Sequence, residues 1–183
     1  MFRSTVTALA LSAAAATGAI AQDNPTVGGA PMMADMNIVE NAMNSPVHTV
    51  LVGLVSAAGL AETLQGDGPF TVFAPTDQAF APIGQETVDT LLMPENQEML
   101  QDILLCHVVG AEATSTAIVG MIEDDGGRHP VETLGSCTLT AYMEDGMVML
   151  EDENGNVATV TTADVMQSNG VIHVIDTVMM PAM

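Results

Sequence analysis

The sequence contains no lysine, and its basic residues are two arginines, Arg3 and Arg128. Nucleic-acid binding needs a basic footprint, so that class of partner is excluded. With 23 acidic residues the formal net charge is −21, and an anionic membrane surface would repel the chain. Beyond the N-terminus, no apolar run approaches the roughly 20 residues that a membrane-spanning helix needs. Catalytic signatures are missing as well. There is no G-x-S-x-G elbow, phosphate-binding glycine loop, H-E-x-x-H or C-x-x-C, and no nucleophile stands beside a base. The composition therefore points away from nucleic acid, membrane insertion and catalysis, and no cofactor is implied.

What is present begins with an export pattern. Arg3 supplies a short positive region, Ala8 to Ala16 an apolar one, and Ala19-Ile20-Ala21 a small-x-small cleavage site. Residues 1–21 are expected to be a signal peptide, cleaved near Ala21, which makes the protein secreted or periplasmic. A membrane anchor is the competing reading, but the run is short and alanine-rich. No cysteine follows the cleavage site to carry a lipid. Residues 22–34, broken by Pro25, Gly28, Gly29 and Pro31, read as a flexible leader. Residues 35–181 suit one domain. The acidic surface reads as a solvated one that keeps the protein soluble in salty surroundings.

Cys106 and Cys137 are the chain's two cysteines. In an oxidising compartment they are expected to form one disulfide, the other reading being two buried thiols.

Periodicity places helices first and strands later. Asp35 is a plausible N-cap for a helix carrying Ile38, Val39 and Ala42. Ser45-Pro46 reads as a second helix start, before Val47, Val50, Leu51, Leu54, Val55 and Ala58 at helical spacing. After the turn Gly66-Asp67-Gly68-Pro69, Phe70 to Ala74 reads as a buried strand. Pro94 starts a helix with Met99, Leu100, Ile103 and Leu104 as its apolar stripe. A short helix fits 114–122, and 123–130 reads as a charged loop. Asp145-Gly146 and Asn154-Gly155 are hairpin signals, and Val171 to Ile175 is the last strong strand. This order argues for an α+β fold.

The four histidines divide by context. His48, near a helix start, is expected at the surface, and His129 lies in the charged loop. His107 and His173 sit within apolar runs, where a histidine is usually a core residue bonded to backbone. Asp152-x-Asn154-x-Asn156 invites a calcium reading, but Gly155 comes too early for that loop, and a hairpin turn explains the residues better. Fifteen methionines include two clusters of one spacing, Met32-Met33-x-x-Met36 and Met179-Met180-x-x-Met183. Thioethers are soft ligands for Cu(I), so a periplasmic copper-binding protein is the alternative function. Gap-filling core methionine is the simpler reading.

Two segments carry a resemblance. GPFTVFAPTDQAF, Gly68 to Phe80, and NGVIHVID, Asn169 to Asp176, are similar to the signature of the fasciclin domain family. LLCHVV at 104–109 resembles its Tyr-His segment, with Cys106 where tyrosine is usual and His107 retained. The resemblance covers roughly residues 36–181. It implies a fasciclin-like α+β fold, a β-sandwich wedge with several short helices packed on one side. It also implies adhesion or extracellular binding to a protein or polysaccharide through surface contacts, without catalysis.

The signature residues read as mainly structural. Thr71, Phe73, Ala74 and Pro75 run as a core strand, Thr76 or Asp77 caps the next helix, and Phe80 follows in the core. Asn169, Gly170, Val171, Ile172, His173, Val174, Ile175 and Asp176 form a second buried strand, with His173 tied by a hydrogen bond. Asp164-Val165 matches a contact position of animal members. With His107, these two are the candidate binding residues.

Overall fold

The computed structural model describes residues 25–182. The expected signal peptide, and Gln22 to Asn24 of the leader, lie outside them. Two apolar runs far apart in sequence, Phe70–Pro75 and Gly170–Ile175, lie side by side as parallel strands. Phe70 is opposite Gly170, and Pro75 is opposite Ile175. Both runs are buried on both faces, which is why they read as near-continuous hydrophobic stretches rather than alternating ones.

In chain order the elements begin with the short pair β1 (Thr26–Val27) and β2 (Ala30–Pro31). Helices α1 (Ile38–Asn44), α2 (Thr49–Ala57) and α3 (Ala61–Leu64) precede β3 (Phe70–Pro75). A 3-10 turn at Asp77–Phe80 leads to α4 (Gln85–Leu91), then α5 (Gln97–Leu105), β4 (Val108–Val109) and α6 (Ser115–Asp124). The remainder is β5 (Arg128–Glu132), β6 (Thr138–Glu144), β7 (Met147–Glu151), β8 (Val157–Gln167) and β9 (Gly170–Ile175).

One seven-stranded sheet runs β4-β3-β9-β8-β7-β6-β5. Strand β8 is the hinge of the wedge. Its first residues pair with β7, and its length pairs with β9 through two register shifts. Such bulges bend a strand and tighten its twist, so β5 to β8 curl over one face of the β3–β9 pair.

Two cores result. Val72, Ala74, Ile172 and Val174 face helices α1 to α5. Phe73 and Ile175 face Leu139, Ala141, Leu150 and Ala158 of the curled half. Helix α6 departs from the other helices, with Ile118 and Ile122 in this second core. At the strand starts the backbones touch: a Cβ on Gly170 would lie 2.0 Å from the Phe70 carbonyl oxygen. Only glycine permits that approach.

Several local expectations are corrected. The first helix is capped by Asn37, not Asp35. Asn37 accepts the Glu40 amide and its own amide donates to Glu40, a capping box. Ser45 and Pro46 lie outside α2, which begins at Thr49. Residues 25–34 are not a loose leader throughout, because β1 pairs with β2 and Val27 and Met32 are buried in the first core. Residues 123–130 are not one loop: α6 runs to Asp124 and β5 begins at Arg128.

Candidate functional site

The signature residues of the two long segments meet at one end of the β3–β9 pair. Asn169 is a clamp there. Its Nδ2 donates to the carbonyls of Leu64 and Gly66, and its Oδ1 accepts the Ile38 amide at 3.0 Å. Phe70 N donates to the Asn169 carbonyl. One side chain thus joins α1, the turn before β3 and the start of β9.

The middle of β9 is organised around His173, which is 1% exposed. Its Nε2 donates to the Ala113 carbonyl at 2.8 Å, and its Nδ1 accepts the Asp164 amide at 3.3 Å. Thr71 donates to Ala111 O and accepts from Ala113 N, fixing the same loop. Burial lowers the His173 pKa below 6.5, partly opposed by the Ala113 carbonyl and by Asp164.

Asp164 sits in the β8 bulge at φ 56°. Its carboxylate accepts the Ser115 amide at 2.7 Å and also the Ser115 hydroxyl. It therefore satisfies an orphan amide in the first turn of α6, alongside Thr114, whose side chain accepts from Ala117 N. Val165 is fully buried and presents nothing to a partner, so the candidate contact narrows to Asp164.

His107 is likewise internal. It is 2% exposed, donates from Nδ1 to Ile103 O and accepts the Met179 amide on Nε2 at 3.0 Å. Burial pushes its pKa down to about 4, against the Ile103 carbonyl and Asp152. The segment it holds is also pinned by the β7–β8 turn. Asp152 accepts the amides of Asn154, Asn156 and Met180 and the Asn156 side chain. Asn154 donates to Met180 O and Pro181 O. The residues considered for calcium thus form a turn that straps down the C-terminal segment.

His48 corrects its expectation. It is 3% exposed and shares a 2.7 Å hydrogen bond with Ser45 Oγ. Burial lowers its pKa. His129 pairs with Asp125 at 2.6 Å. Asp77 does not cap its own turn: its carboxylate reaches back to α2, and its amide donates to Val47 O just before that helix. Thr76 makes no side-chain cap. Asp176 accepts the Thr159 amide.

Cys106 and Cys137 are bonded, with Cα atoms 5.6 Å apart. The bond lies where the sheet nearly closes on itself, beside Leu134 N donating to Val108 O. Asp102 of α5 holds Ser136 at the same seam through the Ser136 amide and hydroxyl.

Of the two methionine clusters, Met180 packs against the same core that buries Met32. Met32 is buried in the first core and Met179 in the second, while Met36 accepts from the Asn44 side chain. Met183 lies outside the described residues. No group of three or more His, Cys, Asp or Glu side chains gathers as a metal site among the described residues.

The Fasciclin domain family model matches residues 46–181. The chain belongs to the fasciclin domain family. Protein sll1483 of Synechocystis is 45% identical to it over 81% of this chain and 75% of its own length. Cell surface glycolipoprotein MPB83 of Mycobacterium bovis is 30% identical over 88% of this chain and 68% of its own. Transforming growth factor-beta-induced protein ig-h3 of Sus scrofa is 34% identical over 69% of this chain, which matches only 17% of that longer protein. A solved FAS1 domain pair from the insect cell adhesion molecule Fasciclin I shares the fold. Its TM-score is 0.68 at 20% identity, covering 78% of this chain and 50% of that one.

Within this fasciclin domain, Cys106 takes its usual-tyrosine position into the disulfide, while His107 keeps an internal bond. The sequence reading missed Ser115, Asp102 and the anchoring role of Asp152. Only Asp152 left a signal, its Asx-rich spacing.

Proposed function

We propose that this fasciclin domain is an exported adhesion-type interaction module. It binds a protein or polysaccharide partner through surface contacts and performs no catalysis. One observation carries the reading: the signature histidines and acids are committed to internal hydrogen bonds. They identify the fold, which leaves recognition to the surface. The names of the relatives, a cell surface glycolipoprotein and a cell adhesion molecule, support the same direction.

A groove of about 380 Å3 offers such a surface. Thr76, Gln78, Thr161 and Thr162 line it together with Gly28 and Pro46. Hydroxyls and an amide that both donate and accept suit sugar hydroxyls or a peptide backbone.

Saturable binding of the labelled protein to envelope fractions tests the reading, with fractions pretreated by protease or by glycosidase to separate the partner classes. Gln78→Trp, at an exposed position, should fill the groove and abolish binding. No saturable binding to any fraction would reject the module, and undiminished binding by Gln78→Trp would reject the groove.

A further inference from the structure

The abundance of methionine is not absorbed by adhesion, and the structure sorts the described methionines into buried, half-buried and exposed ones. Met32 and Met179 are at most 2% exposed. Met43, Met93, Met99, Met143 and Met147 are 38–66% exposed. They are spread over the molecule: α1, the connection before α5, α5 itself, and both sides of the Asp145-Gly146 hairpin turn. No free cysteine competes with them among the described residues, because Cys106 and Cys137 are bonded and buried.

We propose that these five thioethers are a sacrificial surface for neutral two-electron oxidants, namely hydrogen peroxide and hypohalous acids. A sulfur lone pair attacks the peroxide oxygen and the O–O bond breaks. The sulfur becomes a sulfoxide, and the departing hydroxide takes up a proton as water. With hypochlorous acid the net products are sulfoxide, chloride and a proton. Methionine sulfoxide is restored by methionine sulfoxide reductases, so each site is renewable.

Placement makes the modification tolerable. A sulfoxide is polar and disrupts a core, but at these positions it meets water. The charge of −21 selects among oxidants: it repels anions and leaves neutral molecules free to approach.

The test treats the mature protein with rising sub-stoichiometric hypochlorous acid and, separately, with hydrogen peroxide. Each methionine is mapped by mass spectrometry, and circular dichroism follows the fold. The five exposed methionines should each gain one oxygen while the spectrum holds, before Met32 or Met179 reacts. In a second measurement a methionine-containing bystander peptide is present. The wild-type protein should spare it, and a variant with Leu at all five positions should not, although it melts at the wild-type temperature. Oxidation of Met32 or Met179 at the same dose as the exposed set would overturn the proposal. So would equal sparing of the bystander by the five-Leu variant.

Discussion

Asp77 caps a helix that lies upstream of it: its Oδ1 accepts the Val50 amide at 2.9 Å and its Oδ2 the Thr49 hydroxyl at 2.8 Å. The residue at the start of α2, His48, makes no side-chain cap of its own. Asp77→Ala should therefore cost about 1–2 kcal/mol, the range of a lost N-cap. Asp77→Asn, which keeps an acceptor, should cost less. Urea unfolding checks both, and an Ala variant as stable as the parent would show that the cap contributes nothing.

The disulfide spans the seam between the end of α5 and the β5–β6 connection. Denatured, unreduced protein should show no reactive thiol. Cys137→Ser should lower stability by about 3–4 kcal/mol in the chain-entropy account of a loop this long. Two titratable thiols in the unreduced protein would contradict the pairing.

Buried neutral histidines set an acid limb. His48, His107 and His173 all have folded pKa values below 6.5, His107 about 4. Below pH 6.5 the unfolded chain binds protons that the folded chain refuses. Stability is full above that pH, falls between 6.5 and about 4, and levels off below. The His107 share is about 3 kcal/mol. Melting temperature against pH reads the limb, and His107→Asn should make it shallower. A limb unchanged in that variant would remove His107 from the account.

His173 bridges β9 to the Ala113 carbonyl and the Asp164 amide. His173→Ala should cost about 1–3 kcal/mol for the orphaned groups, with partner binding by the folded fraction unchanged. Parental stability with lost binding would instead place His173 on the recognition surface.

Self-repulsion among 23 acidic residues should make salt stabilising, because among the described residues Arg128–Glu151 is the one arginine–carboxylate pair for it to weaken. The melting temperature should rise from very low to roughly seawater-like ionic strength. A flat or falling curve would contradict this.

The elements legible in sequence were those whose signals are local. Strands β3 and β9 announced themselves because two buried faces leave unbroken apolar runs, bounded by glycine and proline. Strand β5 read as a loop because it is a sheet edge, half exposed along its length and interrupted by Pro130. Helix α4 has only Val88 and Leu91 on its buried side, too few for a period. The start of α2 is fixed by Asp77, and no local signal reports a cap delivered from across the chain. His48 reads as a surface residue from its place near a helix start, and nothing local reports its burial. At the candidate site, the burial of His107 and His173 followed from their apolar neighbours. The engagement of Asp164 with Ser115, 49 positions away, did not.

The parallel pairing of β3 with β9 also governs when the protein can fold. Asn169 closes onto Leu64 across 105 positions of sequence, and the pair it clamps is the floor of both cores. A nascent chain that has emerged only as far as β8 holds one half of that floor with no partner. Contacts of such long range slow folding, since loop closure must precede any reward. The chain therefore remains without its central ladder until its last strand is available.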